Sequence, residues 1–273
     1  MLSISYRPIE SIGHVVDRYW SSETNPGENI EFMPFWPSPG GAEIFFHVAP
    51  GFLLNGKQPP QAHVLCCRSQ PIHPEAAPGF HFFAVRIRAG MAEHLLGVPV
   101  SELADRFVPL EVIWGQEATG LTEQIVTTAL DSTRVRLLNH FLQQRLNPRP
   151  ERRIDAAFRL LETGTSSISK ICDLVGLSER QLESRFRRAT ANSPVRFRQL
   201  ARLRRTIKAI LQDPNEKFTQ LVDEAYFDQS QAVHEFRRFT GLTPTEFREL
   251  ARRSAHFYEL KSPALTRRKS VVG

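Results

Sequence analysis

Twelve polar side chains, grouped six and six, hold the most specific chemistry in this 273-residue chain. Arg180, Gln181, Ser184, Arg185, Arg187 and Arg188 form one group. Gln229, Ser230, Gln231, His234, Arg237 and Arg238 form the other. These are donors and acceptors suited to the edges of planar rings and to anionic oxygens. An arginine fork fits the two acceptors of guanine, and a glutamine amide matches the donor and acceptor of adenine. Arg180 and Gln181 stand first in their segment, where a helix entering a DNA groove reaches base edges. Arg185, Arg187, Arg188, Arg237 and Arg238 come later and suit phosphates, which supply affinity and register but no sequence choice.

The two groups sit on a repeat. Shifting 181–202 by 50 residues onto 231–252 gives eleven identities in 22 positions, among them Phe186/Phe236, Arg187/Arg237, Arg188/Arg238, Pro194/Pro244 and Phe197/Phe247. Ser167–Val175 places Ile168, Ile171, Cys172 and Val175 on one helical face. Gly176 ends that helix, because glycine accepts the left-handed conformation at a helix C-terminus. Ser178 then starts another, with Gln181 three residues later as capping-box partner. Helix, glycine turn and capped helix form a helix-turn-helix signature. Leu182, Phe186 and Ala189 point inward. In the second copy Thr219–Tyr226 is the expected supporting helix and Asp228 the cap, while Ala232, Phe236 and Phe239 point inward.

A helix running from Pro194 to about Leu211 joins the copies, with Leu200, Leu203, Ile207, Ile210 and Leu211 as its buried stripe. Its roughly 18 residues span about 27 Å. One turn of B-DNA is about 34 Å. Such a strut can hold two reading helices against one side of a duplex.

Charge divides the same way. Residues 151–273 carry 24 Lys+Arg against 15 Asp+Glu, whereas residues 1–150 carry 11 against 14. Only the back half is expected to touch a polyanion.

The front half reads as strands broken by Pro and Gly. Ala42–Val48, His63–Arg68 and Phe80–Arg88 are the expected strands, the last with a wet face near its end at Arg86 and Arg88. Short helices follow at Met91–Leu96 and Ser101–Arg106, then longer ones at Glu117–Leu130 and Ser132–Leu146. Val135, Leu138, Phe141, Leu142 and Leu146 form a stripe on the last, which closes the front domain or makes a dimer surface. The expected fold is a two-domain α+β chain: a β-rich N-terminal domain with trailing helices over 1–147, and an all-α C-terminal domain of two helix-turn-helix units over 148–255. Pro148 and Pro150 stiffen the joint, and 256–273 is a flexible basic tail containing Lys261–Lys269.

The segment from about Ile154 to Leu250 resembles the double helix-turn-helix domain of AraC/XylS-type transcription regulators. Ile171-Cys172, Gly176, Ser178, Arg180, Leu182, Phe186, Ser193-Pro194 and Arg202-Leu203-Arg204 carry the likeness in the first copy. Tyr226, Asp228-Gln229-Ser230, Phe236, Gly241, Thr243-Pro244 and Phe247-Arg248 carry it in the second. The sequence departs from that pattern at Ala191, Ala225, Ala232 and His234. The front half more loosely resembles the β-rich domain of one subgroup, through Tyr19-Trp20, Pro39–Gly41, Leu95–Pro99, Asp105-Arg106 and Trp114-Gly115. The resemblance implies sequence-specific binding of double-stranded DNA, with a front domain that senses a small-molecule effector or supports a homodimer, and with RNA polymerase as a further partner.

No nucleophile elbow, phosphate loop or HExxH is present, so no enzyme is expected. His47, His63 and His81, with Cys66 and Cys67 nearby, lack the His-x-His or Cys-x-x-Cys spacing of a metal site, and no cofactor is expected. The main alternative is an enzyme whose β-domain binds a metal at those histidines, with the helical half as a targeting module. A second is an architectural DNA protein without sequence choice. An effector pocket would draw on Phe35, Trp36, Phe45, Phe46, Phe82, Phe83 and Trp114, although aromatics in strands usually form plain core. Three cysteines do not make a disulfide framework, Cys66 and Cys67 being expected as reduced strand residues. No run of about 18 apolar residues exists and no secretory signal is expected. The chain is therefore expected in the cytoplasm, away from membranes.

Overall fold

Alternating apolar residues build the front half around one sheet. The computed structural model describes residues 2–28, 30–49, 52–146, 152–164, 166–213, 215–221 and 229–254. Its strands are β1 (Leu2–Tyr6), β2 (Val16–Glu23), β3 (Ala42–Ala49), β4 (Phe52–Leu54), β5 (Ala62–Leu65), β6 (Pro74–Ala76), β7 (His81–Ile87) and β8 (Phe107–Pro109). Six of them form one antiparallel sheet in the order β1-β2-β7-β3-β5-β8, and β4 pairs with β6 as a separate ribbon. The helices of this half are α1 (Ala92–Leu96), α2 (Val100–Leu103), α3 (Leu110–Trp114), α4 (Gln116–Thr127) and α5 (Asp131–Arg145).

The two faces of the sheet feed different cores. Tyr19, Ile44, Phe46, Phe83, Val85 and Ile87 point to the helices, meeting Leu121, Ile125, Leu138 and Leu142. Trp20, Phe45, Phe82 and Ala84 point the other way, to Phe32, Phe35, Phe52 and Phe80. Helix α5 is fastened by polar contacts as well as by its stripe. Tyr6 and Ser21 donate to the Asp131 carboxylate at 2.9 and 2.5 Å, and Tyr19 donates to Asn139 at 2.8 Å. Arg134, fully buried, bonds Asp131 and the carbonyl of Ile125. That helix therefore closes the front half. The strip of Ser21 and Ser22 explains why β2 has no apolar alternation: both serines are buried, Ser21 against Asp131 and Ser22 against Ser3.

Two sequence expectations change. Strand β5 stops at Leu65, so Cys66 and Cys67 are not strand residues; they are buried free thiols in irregular chain. The helix expected over Ser101–Arg106 ends at Leu103, because Asp105 turns left-handed (φ 56) and residues 107–109 pair with β5 as β8.

The back half contains α6 (Arg152–Thr163), α7 (Ile168–Val175), α8 (Glu179–Thr190), α9 (Pro194–Gln212), α10 (Phe218–Leu221), α11 (Gln229–Thr240) and α12 (Pro244–Arg253). Helix α9 divides its apolar face between two cores. Phe197 packs with Phe158 and Phe186 in the first, and Leu200, Leu203, Ile207 and Ile210 pack with Phe236 and Phe247 in the second. The front half enters the second core too: Met33 and Trp36 lie in it, with the Trp36 and Phe247 rings 5.6 Å apart. The linker 147–150, the distal part of the second supporting helix (222–226), the cap Asp228 and the tail 256–273 lie outside the described residues.

Candidate nucleic-acid interface

Local sequence rules build the first head. Ser167 caps α7, accepting from the Lys170 amide, and Gly176 closes it at φ 64. The capping box of Ser178 and Gln181 forms as expected and starts α8. Leu182 and Phe186 are fully buried, the Phe186 ring lying 4.2 Å from Phe158 and 5.4 Å from Phe197. Burying this side fixes the opposite one outward. Arg180, Gln181, Ser184, Arg187 and Arg188 are exposed and Arg185 is half-buried.

These outward residues are not equally available. The Arg180 and Ser184 side chains make no hydrogen bond or ion pair among the described residues. Gln181 uses its amide oxygen to accept from the Ser178 amide at 3.0 Å. That oxygen is free for another donor only if this half of the capping box opens. Arg187 pairs with Glu183 one turn back at 2.8 Å. Arg188 is taken by the front half, donating from Nε to both Glu93 oxygens at 2.8 and 3.1 Å.

The second head repeats the first in detail. Thr190 and Thr240 each donate to the carbonyl four residues back, Phe186 and Phe236. Each is followed by a left-handed residue, Ala191 at φ 57 and Gly241 at φ 75. Ser193 and Thr243 then cap helices that begin with proline. On α11, Ala232, Phe236 and Phe239 are buried, while Gln229, Ser230, Gln231, His234, Arg237 and Arg238 are exposed. Arg238 lies over the Phe239 ring at 5.5 Å. Glu235, the counterpart of Arg185, is instead buried and bonded to Arg202 of α9 at 2.8 and 3.0 Å.

Histidines 47 and 63 do come together, their rings stacked 5.2 Å apart. Burial pushes them down to about 4 and about 3, so both are neutral at pH 7. His81 stands apart beside Glu23. Among the described residues no three His, Cys, Asp or Glu side chains are grouped to hold a metal ion.

Of the aromatics named for an effector pocket, only Trp36 lines the cavity between the two halves. Phe35, Phe45 and Phe82 are packed in one core of the front half, and Phe46, Phe83 and Trp114 in the other. A cavity of about 480 Å³ lies instead between the two halves. Its sheet side is set by register: β7 and β3 place Arg86 opposite Glu43, and Asp17 of β2 lines it as well. Glu43 is shared by Arg86 at 3.1 Å and Arg68 at 3.7 Å. Its helical side brings Phe158, Arg159 and Glu162 from α6 and Arg204 and Ile207 from α9, and Trp36 lines it as well. Arg204, exposed to solvent, has no hydrogen bond or ion pair among the described residues, and the charge of Arg86 holds its guanidinium below the usual arginine range. Sequence reasoning missed this site because its cations come from β7, α6, α9 and the chain after β5, with no local spacing to join them.

Residues 171–250 match the protein-family model described as "Helix-turn-helix domain". No curated protein matches the chain. Among solved structures, ToxT from Vibrio cholerae O395 is similar at 10% identity, covering 85% of this chain and 96% of that one with a TM-score of 0.44. Unsaturated fatty acid bound wild-type ToxT from V. cholerae strain SCE256 is similar at 11% identity, covering 84% and 93% with a TM-score of 0.43. Among the described residues no helix is long and apolar enough to cross a membrane.

Proposed function

From an AraC-type helix-turn-helix domain at residues 171–250, a DNA-binding module, we propose that this chain is a sequence-specific transcription regulator whose two heads enter successive major grooves of one duplex. The observation that carries this is the structural repeat. Two helices with matching inward phenylalanines, matching threonine-closed ends and exposed Arg, Gln, Ser or His faces are held on one rod of 19 residues. That rod is about 28 Å long, close to the roughly 34 Å of one duplex turn. Residues 148–255 form the DNA-binding half and 1–147 the regulatory half. Within the first head Arg180 and Ser184 reach base edges, and Arg185, Arg187 and Arg188 serve phosphates. Gln229, Ser230, Gln231, His234, Arg237 and Arg238 make the corresponding contacts of the second head, mainly to phosphates. Selection of bound sites from a random duplex pool, at stated salt because affinity falls steeply with it, tests the proposal. A motif with two blocks about one turn apart is the expected result; recovery of no motif overturns it.

The effector belongs to the interdomain cavity. Its volume suits a small organic molecule, and Arg204 beside Arg86 leaves positive charge that a carboxylate-sized anion neutralises. Trp36, on the cavity wall, gives the readout. Titration with a panel of small carboxylic acids is expected to change its fluorescence for at least one acid, and R204A is expected to abolish that change. Equal responses of R204A and the parent chain overturn the placement.

A further inference from the structure

We propose that Glu93 acts as a built-in competitor for DNA: it holds Arg188 of the first reading helix in a closed arrangement that must open before that arginine can meet a phosphate. This rests on the DNA-binding reading above.

Helix geometry places Arg188 among the contact residues. At about 100° per residue, Gln181, Ser184 and Arg188 fall within roughly 60° of one another on α8, opposite the buried Leu182 and Phe186. The front half touches the C-terminal end of this face. Helix α2 packs on α8. Glu93 of α1 accepts from Arg188 Nε through both oxygens, at 2.8 and 3.1 Å, and from Nη2 through one of them. Glu102 of α2 adds a second negative charge to the same guanidinium. A carboxylate gripping an arginine fork uses the donors that a phosphate would use. One fork cannot serve both anions, and a duplex laid along α8 would bring its phosphates toward Glu93 and Glu102.

The closed state is fastened next to that clamp. Asn192, just past α8, donates to the Cys67 sulfur at 2.9 Å and to the Pro39 carbonyl at 3.4 Å. The N-terminal end of α8, with Arg180 and Ser184, stays open. The first head is thus engaged at one end only: Arg188 is exposed but paired with Glu93, while Arg180 and Ser184 are open. An exposed ion pair shifts an equilibrium by at most about fivefold. The clamp is therefore a bias that DNA or a conformational change overcomes, not a lock.

The test uses the full chain and two probes: a duplex recovered by selection and a random-sequence duplex of equal length. E93Q keeps the shape of the side chain and removes its charge. Binding of both probes is expected to tighten two- to fivefold, with the slope of log K against log salt steeper by about one, since a freed arginine releases one more counterion. The gain must vanish in E93Q/R188A, which is expected to bind like R188A alone. Unchanged thermal melting of E93Q checks that the fold is kept. If E93Q binds no tighter than the parent chain, or if R188A does not cancel its gain, Glu93 only docks the two halves and the proposal is overturned. If neither chain binds any duplex, the DNA-binding reading fails first and takes the clamp with it.

Discussion

Arg202 of α9 and Glu235 of α11 form a buried ion pair, the guanidinium Nη2 lying 2.8 and 3.0 Å from the two carboxylate oxygens. The pair ties the second reading helix to the rod that spaces it from the first. Removing one partner takes from the other's buried charge its bidentate counter-ion. E235Q or R202M alone is expected to cost about 3–5 kcal/mol, and R202M/E235L to cost less than either single change. Urea unfolding of the three variants measures this. A double variant as weak as the sum of the singles would show that the pair is not the coupling element.

Gly90 of the front half lies against the Phe158 ring of α6. A Cβ on Gly90, which sits at φ +79, would lie 2.3 Å from the Phe158 ring. G90A is therefore expected to force the first head away from the front half and to lower the thermal midpoint by several degrees. Replacing Phe158 with leucine in the same chain is expected to recover part of that loss. A G90A chain that melts like its parent would contradict this packing.

The left-handed residue after each reading helix differs between copies, Ala191 in one and Gly241 in the other. A Cβ on Gly241 would meet nothing within 4 Å, so only backbone strain opposes it. G241A is expected to cost about 1–2 kcal/mol. The repeat geometry implies that the first copy already bears that strain at Ala191. Chemical denaturation of G241A reads the number directly.

His47 and His63 make stability depend on pH. Burial lowers both, to about 4 and about 3. The unfolded chain binds protons below about 6.5, and the folded chain does not until those lower values. Stability is thus full above pH 6.5 and is lost as pH falls toward 4 and 3. Thermal midpoints across this range are expected to drop more steeply for the parent chain than for H47Q/H63Q. Parallel curves would mean that these two rings do not carry the effect.

Arg180, exposed and free of partners among the described residues, is the residue on which sequence choice is expected to depend. R180A is expected to cost about 1–3 kcal/mol on a selected site and to relax preference at one base pair, with little change on random duplex. Binding measured on both probes at one salt concentration decides it. An equal loss on both probes would make Arg180 a phosphate contact.

The back half was legible because its information is local. The Ser178–Gln181 cap, the glycine stop at Gly176 and the periodic Leu182 and Phe186 act within a few residues, and helices register them directly. The front half was legible only in part. Strand β2 was hidden because Ser21 and Ser22 are buried on partners far along the chain, so its alternation is polar. No local pattern marks Glu235 as buried, yet it is bonded to Arg202, 33 residues away along the chain. The occupation of Arg188 by Glu93, and the convergence of Arg86 and Arg204 on one cavity, also lay beyond the sequence. By itself the chain determined two capped, arginine-faced heads on one rod, since hydrogen bonds and helical periodicity are short-range. Only tertiary structure decided which of those arginines are free, because electrostatic pairing depends on distance in space and ignores separation along the chain.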